Sequence, residues 1–265
     1  MPPARILGFE WDASSSHARG AALGPSVVRR LLTSEASSGY SIDLTPMADA
    51  IAGYEVPSLP EDGAAARTLI ERTVADTLAR GAAPLSIGGD HSITFPILQA
   101  VAAKHGAVNV LHIDAHGDLH DQYEGDKFSH ACPFARAHEA GLIARHVAVG
   151  VRCWDPHQKA QADRFGVTIL GAHEMASAPA DIFEGPLYMS IDLDGLDPAF
   201  APGVSHPEPA GLSTLDVLSL IQRIKGPLIG ADIVELNPER DPMLATARVA
   251  VRLAKELAAK LLASG

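Results

Sequence analysis

Short runs rich in Val, Ile and Leu, about eight in all, alternate along the chain with longer amphipathic stretches, and no other feature restricts the fold as strongly. The runs lie at 5–9, 40–44, 84–87, 108–113, 146–151, 167–170, 187–191 and 228–234. Each is short and predominantly apolar, as expected of strands covered on both faces of a parallel sheet. Helical spacing of apolar residues occupies 63–80, 92–104, 214–224 and 242–262. Strand followed by helix, repeated, predicts right-handed crossovers with helices on both sides of the sheet. No linker, repeat or low-complexity stretch interrupts the pattern, so residues 1–265 are expected to form a single α/β domain.

The two longest irregular stretches, 119–129 and the proline-rich 194–211, each follow a strand directly. They are expected at the carboxyl edge of the sheet, where open parallel sheets bind their ligands. Charge points the same way. With 21 Lys and Arg against 32 Asp and Glu, the net charge of -11 opposes nucleic acid and anionic membrane and favours a cation. No run of eighteen apolar residues occurs, and Met1 to Arg5 lead into the first strand without a signal-like segment, so a soluble cytoplasmic protein is expected. Cys132 and Cys153 stand in separate segments without CxxC spacing and are expected to be reduced.

The chemistry concentrates at three strand ends. Val110-Leu111-His112-Ile113 runs into Asp114-Ala115-His116-Gly117-Asp118, and residues two apart in an extended chain point the same way, so Asp114, His116 and Asp118 can converge. The strand 187–191 ends in Asp192-Leu193-Asp194, which places a second carboxylate pair on one side. The strand 84–87 runs into Gly88-Gly89-Asp90-His91-Ser92, where glycines permit a tight turn and His91 opens a helix. Carboxylates gathered at one edge repel unless cations lie between them. Six donors, four carboxylates and two imidazoles, suit two manganese ions better than a thiolate zinc site.

These three segments, the last extended as Ser190-Ile191-Asp192-Leu193-Asp194-Gly195-Leu196-Asp197-Pro198, resemble in order the signature motifs of the arginase and agmatinase family of ureohydrolases. Glu235-Leu236-Asn237-Pro238 and the earlier Gly20-Ala21-Ala22-Leu23-Gly24-Pro25-Ser26 resemble the same family. The resemblance implies a three-layer αβα sandwich with a mainly parallel sheet of eight strands. It implies two Mn2+ per chain, one held by His91, Asp114, Asp118 and Asp192, the other by Asp114, His116, Asp192 and Asp194, with Asp114 and Asp192 bridging. Such a pair lowers the pKa of a shared water so that hydroxide attacks near neutral pH. By the same resemblance Glu235 pairs with the substrate guanidinium, Asp118 relays a proton to the departing amine, and His130 shuttles protons. The implied enzyme is a hydrolase of linear amidines, a homo-oligomer of three or six chains acting on a small guanidino compound.

Several substrates fit that reading: agmatine, arginine, guanidinobutyrate, guanidinopropionate and formiminoglutamate. The loop 119–129 largely lacks the Asn, Ser and Thr side chains that hold the amino acid's carboxylate in the arginases it resembles, and Asp121, Glu124 and Asp126 repel one unless Lys127 or a nearby arginine compensates. A cationic tail, agmatine first, is therefore expected. Asp155, in Arg152-Cys153-Trp154-Asp155-Pro156, resembles the aspartate that meets the substrate ammonium. A zinc-dependent amide deacetylase, which needs one ion, and a non-catalytic metal-binding protein are the more distant alternatives. Some residues have simpler expected roles. Asp197 before Pro198 reads as a turn residue, and His112 as a core histidine or support for a ligand. His17, His120, His138, His157 and His173 read as surface or loop residues, and Trp154 as a pocket rim or packed loop aromatic.

Overall fold

The computed structural model describes residues 4–264; Met1 to Pro3 and Gly265, part of the expected 1–265 domain, lie outside the described residues. Seven strands form one sheet: β1 (Ala4–Phe9), β2 (Ala83–Gly88), β3 (Val108–Ile113), β4 (Ile143–Val149), β5 (Thr168–Leu170), β6 (Leu187–Asp192) and β7 (Leu228–Val234). Their order is β1-β2-β7-β6-β3-β4-β5, and every pair is parallel. The eight helices are α1 (Gly24–Leu32), α2 (Ala48–Ala52), α3 (Gly63–Ala79), α4 (Thr94–His105), α5 (Pro133–Glu139), α6 (Pro156–Phe165), α7 (Thr214–Arg223) and α8 (Ala245–Ala263). None among the described residues is long and apolar enough to cross a membrane.

The strands feed two separate cores because the pleat sends alternate side chains to opposite faces. Ile6, Leu85, Ile87, Leu111, Ile113, Met189, Ile191 and Ile233 pack under α1, α2, α7 and α8. Leu7, Phe9, Val108, Val110, Tyr188 and Val234 pack under α3, α4, α5 and α6. Burying one such side chain is worth about 1.5–3 kcal/mol, so both faces hold the sheet in a three-layer αβα sandwich.

Local signals set the helix ends. Asp62 caps α3 by accepting from the Ala65 amide at 2.8 Å, and Ser213 with Asp216 forms a reciprocal cap on α7. In α6, Asp155 caps the start, Pro156 occupies the first turn, and Gly166 ends the helix in the left-handed region.

One expected strand is absent. Residues 40–44 form a turn, closed by the Ser41 amide on the Thr45 carbonyl at 3.0 Å, with only an isolated bridge between Tyr40 and Pro46. Leu44 lies in the left-handed region and is largely exposed, so this apolar run has no sheet neighbour to cover it. The helix expected from 242 begins at Ala245, because Met243 and Leu244 have positive φ.

Strand order decides where chemistry gathers. The four neighbouring central strands β2, β7, β6 and β3 deliver at their carboxyl ends the segments carrying His91, Glu235, Asp192 and Asp194, and Asp114 to Asp118. Ile113 stands opposite Ile191 and Asp192 opposite Val234, so the acidic tips emerge level with one another. Gly89 is required there. A Cβ on it would lie 1.7 Å from the Trp11 carbonyl oxygen, and its amide and carbonyl bond Phe9 and Glu235 at 2.9 and 2.8 Å.

Candidate metal centre

Six donor side chains from three strand ends face two adjacent points. Around the first, His91 Nδ1 lies 3.2 Å from Asp114 Oδ2, 2.9 Å from Asp118 Oδ2 and 3.3 Å from Asp192 Oδ2. Around the second, His116 Nδ1 lies 3.3 Å from Asp114 Oδ1 and 3.2 Å from Asp194 Oδ2. Asp114 thus offers one oxygen to each group. Asp192 turns Oδ2 to the first and accepts the Asp194 amide on Oδ1 at 2.8 Å, which holds the two acidic residues in register. His91 and Asp114 are wholly buried beneath the floor of a cavity of about 450 Å3, while His116, Asp118, Asp192 and Asp194 line it.

These contacts fit metal ligation rather than mutual hydrogen bonding. His91 Nδ1 touches three carboxylate oxygens yet makes no properly directed hydrogen bond with any of them, as expected when donors aim at a common centre instead of at each other. Donor sets converge at Asp114, His116 and Asp194 and again at His91, His112 and Asp114. Charge agrees: burial, with Asp194 and Asp114 close by, pushes the Asp192 pKa well above the usual carboxylate range. Burial also raises Asp194, to about 6, although His116 opposes it. The protein alone therefore holds this cluster fully ionised only at a cost that divalent cations would remove.

Supporting groups fix the ligands. Ser190, opposite Asp232 in the β6–β7 register, donates its hydroxyl to Asp232 Oδ1 at 2.6 Å and leaves its lone pairs for His91 Nε2 at 2.9 Å. Asp232 also accepts from Tyr188 Oη at 2.6 Å and Thr94 Oγ1 at 3.0 Å. With its proton held at Nε2, His91 presents Nδ1 to the carboxylates. Burial disfavours charge on His91, but the close carboxylates of Asp114, Asp118 and Asp192 outweigh it and lift the pKa well above the usual histidine range. His112 bonds Asp114 Oδ2 at 2.7 Å from inside β3.

Glu235 is buried beside these donors, aimed by a positive φ of 65° just past β7; Asp118 also has a positive φ, of 50°. Both are backbone conformations that only a strongly held site retains. Glu235 Oε1 accepts the His91 amide at 2.9 Å and faces His130 Nδ1 at 3.3 Å, whereas Oε2 has no partner. Burial opposes the charge on Glu235, but the His130 contact outweighs it and lowers the pKa. The converse holds for His130, which reaches about 9 under the pull of Glu235 despite burial. Ser16, in the loop after β1, meets His130 Nε2 at 2.9 Å.

At the cavity mouth Asp155 caps α6 through the Gln158 amide at 2.9 Å and pairs with His120 at 3.2 Å. Trp154 and Tyr123 stand beside it, partly exposed. Asp197 lies away from the donors and closes a turn through the Ala199, Ala210 and Gly211 amides. His206, Ser16, Ser190 and Asp232 carry no role in the sequence motifs, and His120, expected at the surface or in a loop, lies in the loop after β3 and lines the cavity. His206 stacks on His130 with ring centres 5.3 Å apart. Its only sequence signal was a place in the proline-rich stretch after β6.

Arg152 is the only Lys or Arg lining this cavity among the described residues, and its guanidinium is fully engaged. It donates to the carbonyls of Gly150, Asp194, Gly195, Leu196, Glu208 and Pro209, and so ties the end of β4 to the 194–211 loop.

Comparison with known proteins converges on one family. Residues 3–259 match the arginase family. The mitochondrial arginase 1 of Arabidopsis thaliana is 47% identical over 190 residues, which cover 67% of this chain and 55% of that protein. The mitochondrial agmatinase of Gallus gallus is 35% identical over 285 residues, covering 96% and 79% of the two chains. The arginase structure from Medicago truncatula superposes with a TM-score of 0.90 at 35% identity, over 98% of this chain and 87% of that one. The alignment thus spans little more than half the length of the Arabidopsis relative.

Proposed function

The chain belongs to the arginase family, and we propose that it is a ureohydrolase that splits a guanidino compound with an amine tail, agmatine first, into urea and an amine. The carrying observation is that buried Glu235, its Oε2 unpartnered, lines one cavity with the six donor residues, of which His116, Asp118, Asp192 and Asp194 line it too and Asp114 and His91 lie beneath the floor. Those six residues would hold two divalent ions, manganese by their oxygen-rich chemistry. Bound there, the ions would acidify a shared water and so supply a nucleophile near neutral pH.

The remaining chemistry belongs to the chain. Glu235 accepts two N–H groups of the planar guanidinium and fixes its central carbon over the donor floor. Water adds to that carbon and gives a proton to the Asp118 carboxylate on the cavity wall, the bond to the tail nitrogen breaks, and Asp118 passes that proton to the departing nitrogen. His130, between Glu235 and Ser16, exchanges protons with solvent.

Charge at the mouth supports the choice of tail. Arg152 is committed to six carbonyls, so a substrate carboxylate would meet Asp155 with no free cation to receive it, whereas an ammonium would be welcomed. Arginine is the second reading, because the Arabidopsis relative bears the name arginase and Asp155 could equally meet an α-ammonium. Urea release from agmatine, arginine and a guanidino acid after manganese loading tests the reading. The highest kcat/KM is expected for agmatine. A preference for arginine or for the acid would overturn the tail assignment, and no urea from any of them would overturn the activity. A homo-oligomer of three or six chains is proposed alongside, to be checked by light scattering.

A further inference from the structure

A second pocket, sharing no lining residue with the metal centre, lies between α8 and the loop after α1. It holds about 150 Å3 and is walled by Arg248, Arg252 and Lys255 on one side and by Ser34, Ser37 and Ser38 on the other. Three cations around one small concavity are unexpected in a chain of net charge -11.

The charges do not balance internally. Arg252 Nη1 donates to Glu256 Oε1 at 3.0 Å, and that carboxylate also accepts the Ile42 amide at 3.0 Å, so Glu256 makes its direct ion pair with Arg252 and acts on Lys255 only at longer range. Lys255 is only 3% exposed, and its ammonium bonds neutral groups, Ser37 Oγ at 2.6 Å and the Ser38 carbonyl. Among the described residues neither Lys255 nor Arg248 pairs with a carboxylate, and Glu35, the acid in the neighbouring loop, does not line the pocket. A buried ammonium with no carboxylate in contact is costly, and the pocket beside it, which Arg248 and Arg252 also wall, is where an anion would offset that cost.

We propose that this pocket binds a phosphate-class oxyanion. Arg248 and Arg252 supply planar forks of N–H donors and Lys255 a point charge, the donor types that hold phosphate. Ser38 Oγ already accepts the Tyr40 amide and Ser34 Oγ the Ala36 amide, so their hydroxyl protons remain for anion oxygens. The volume suits inorganic phosphate or the head of a small phosphomonoester.

Calorimetric titration of manganese-loaded protein at constant ionic strength tests the site, with inorganic phosphate and glycerol phosphate as probes and chloride as control. One saturable phosphate site per chain is expected. Arg248→Gln should weaken it at least tenfold while leaving the manganese isotherm unchanged, and Lys255→Met should abolish it. Should Lys255→Met fail to fold, Arg252→Gln takes its place in the comparison. Glycerol phosphate binding as tightly would assign a phosphomonoester; binding of inorganic phosphate alone would confine the site to the free ion. Heat no larger than that of chloride, or phosphate affinity unchanged in Arg248→Gln and its companion variant, would overturn the proposal.

Discussion

Replacing Asp194 with Asn separates a metal ligand from an ordinary structural acid, because the two roles give stability changes of opposite sign. In the metal-free protein, burial lifts the Asp194 pKa from 3.8 to about 6. The native state then holds a proton that the unfolded chain has lost between these values. Its contribution is complete below about pH 4 and falls as pH rises through about 6. At pH 7 the shift corresponds to at most about 3 kcal/mol of native-state penalty, at about 1.36 kcal/mol per unit. Asn removes that penalty while its carbonyl keeps the Ala115 amide bond, but it gives up the contact with His116. A net gain of about 1–2 kcal/mol follows. Unfolding entropy of about 2.1 cal/mol/K per residue converts this over 265 residues to a rise of about 2–4 °C in Tm in EDTA. With manganese at about a hundred times its Kd, the wild type gains about 2.7 kcal/mol, or about 5 °C, and the variant should lose most of it. Differential scanning fluorimetry in EDTA and in manganese reads both changes. Equal loss of Tm in the two conditions would refute the reasoning and make Asp194 a structural hydrogen-bonding residue.

Glu235→Gln should lower kcat/KM by about 10²–10³, the equivalent of about 3–4 kcal/mol, through loss of charge-assisted bonds to the guanidinium; steady-state urea release checks it, and manganese content should stay constant. Ser190→Ala and Asp232→Asn should each weaken manganese affinity about 10–100-fold by freeing the His91 ring, as read by calorimetry. Burial lowers the His138 pKa to about 4, so the folded chain resists a proton that the unfolded chain accepts below about pH 6.5. Stability is complete above that pH and lost as pH falls towards 4, and urea melts at pH 7 and 5 should differ by about 1–2 kcal/mol, a difference that shrinks in His138→Gln.

The parts of the fold that could be read in the chain are those with a local cause. Runs such as Val108–Ile113 and Leu228–Val234 are mostly apolar because both faces of their strands are covered, and they became strands. Residues 40–44, a weaker run interrupted by Ser41 and Asp43, form a turn instead, since a local pattern does not say whether a neighbouring strand exists to pair with. The helices α1, α2, α5 and α6 lie outside the four stretches of clearest helical spacing because each is at most ten residues long, too short for periodicity alone to separate from a loop. At the site, alternation past β3 and β6 brought the right donors to one edge, but not their grouping: the chain leaves β3 at Ile113 and Asp118 has a positive φ, so Asp118 turns to His91 while His116 meets Asp194. Asp232 could not be singled out, because an acid inside an apolar strand acquires meaning only from Ser190 standing opposite it.

By itself the sequence determined which side chains leave each strand on the same side, how many oxygen and nitrogen donors stand at the strand ends, and how acidic the chain is, all properties of a few consecutive residues. Only the tertiary structure decided that β2, β7, β6 and β3 are neighbours, that Glu235 turns through a left-handed conformation into the cavity, and that Arg152 is occupied by carbonyls. Side-chain direction follows from the pleat of one strand, whereas adjacency across a parallel sheet is set by crossovers tens of residues long and by the two cores that choose among them.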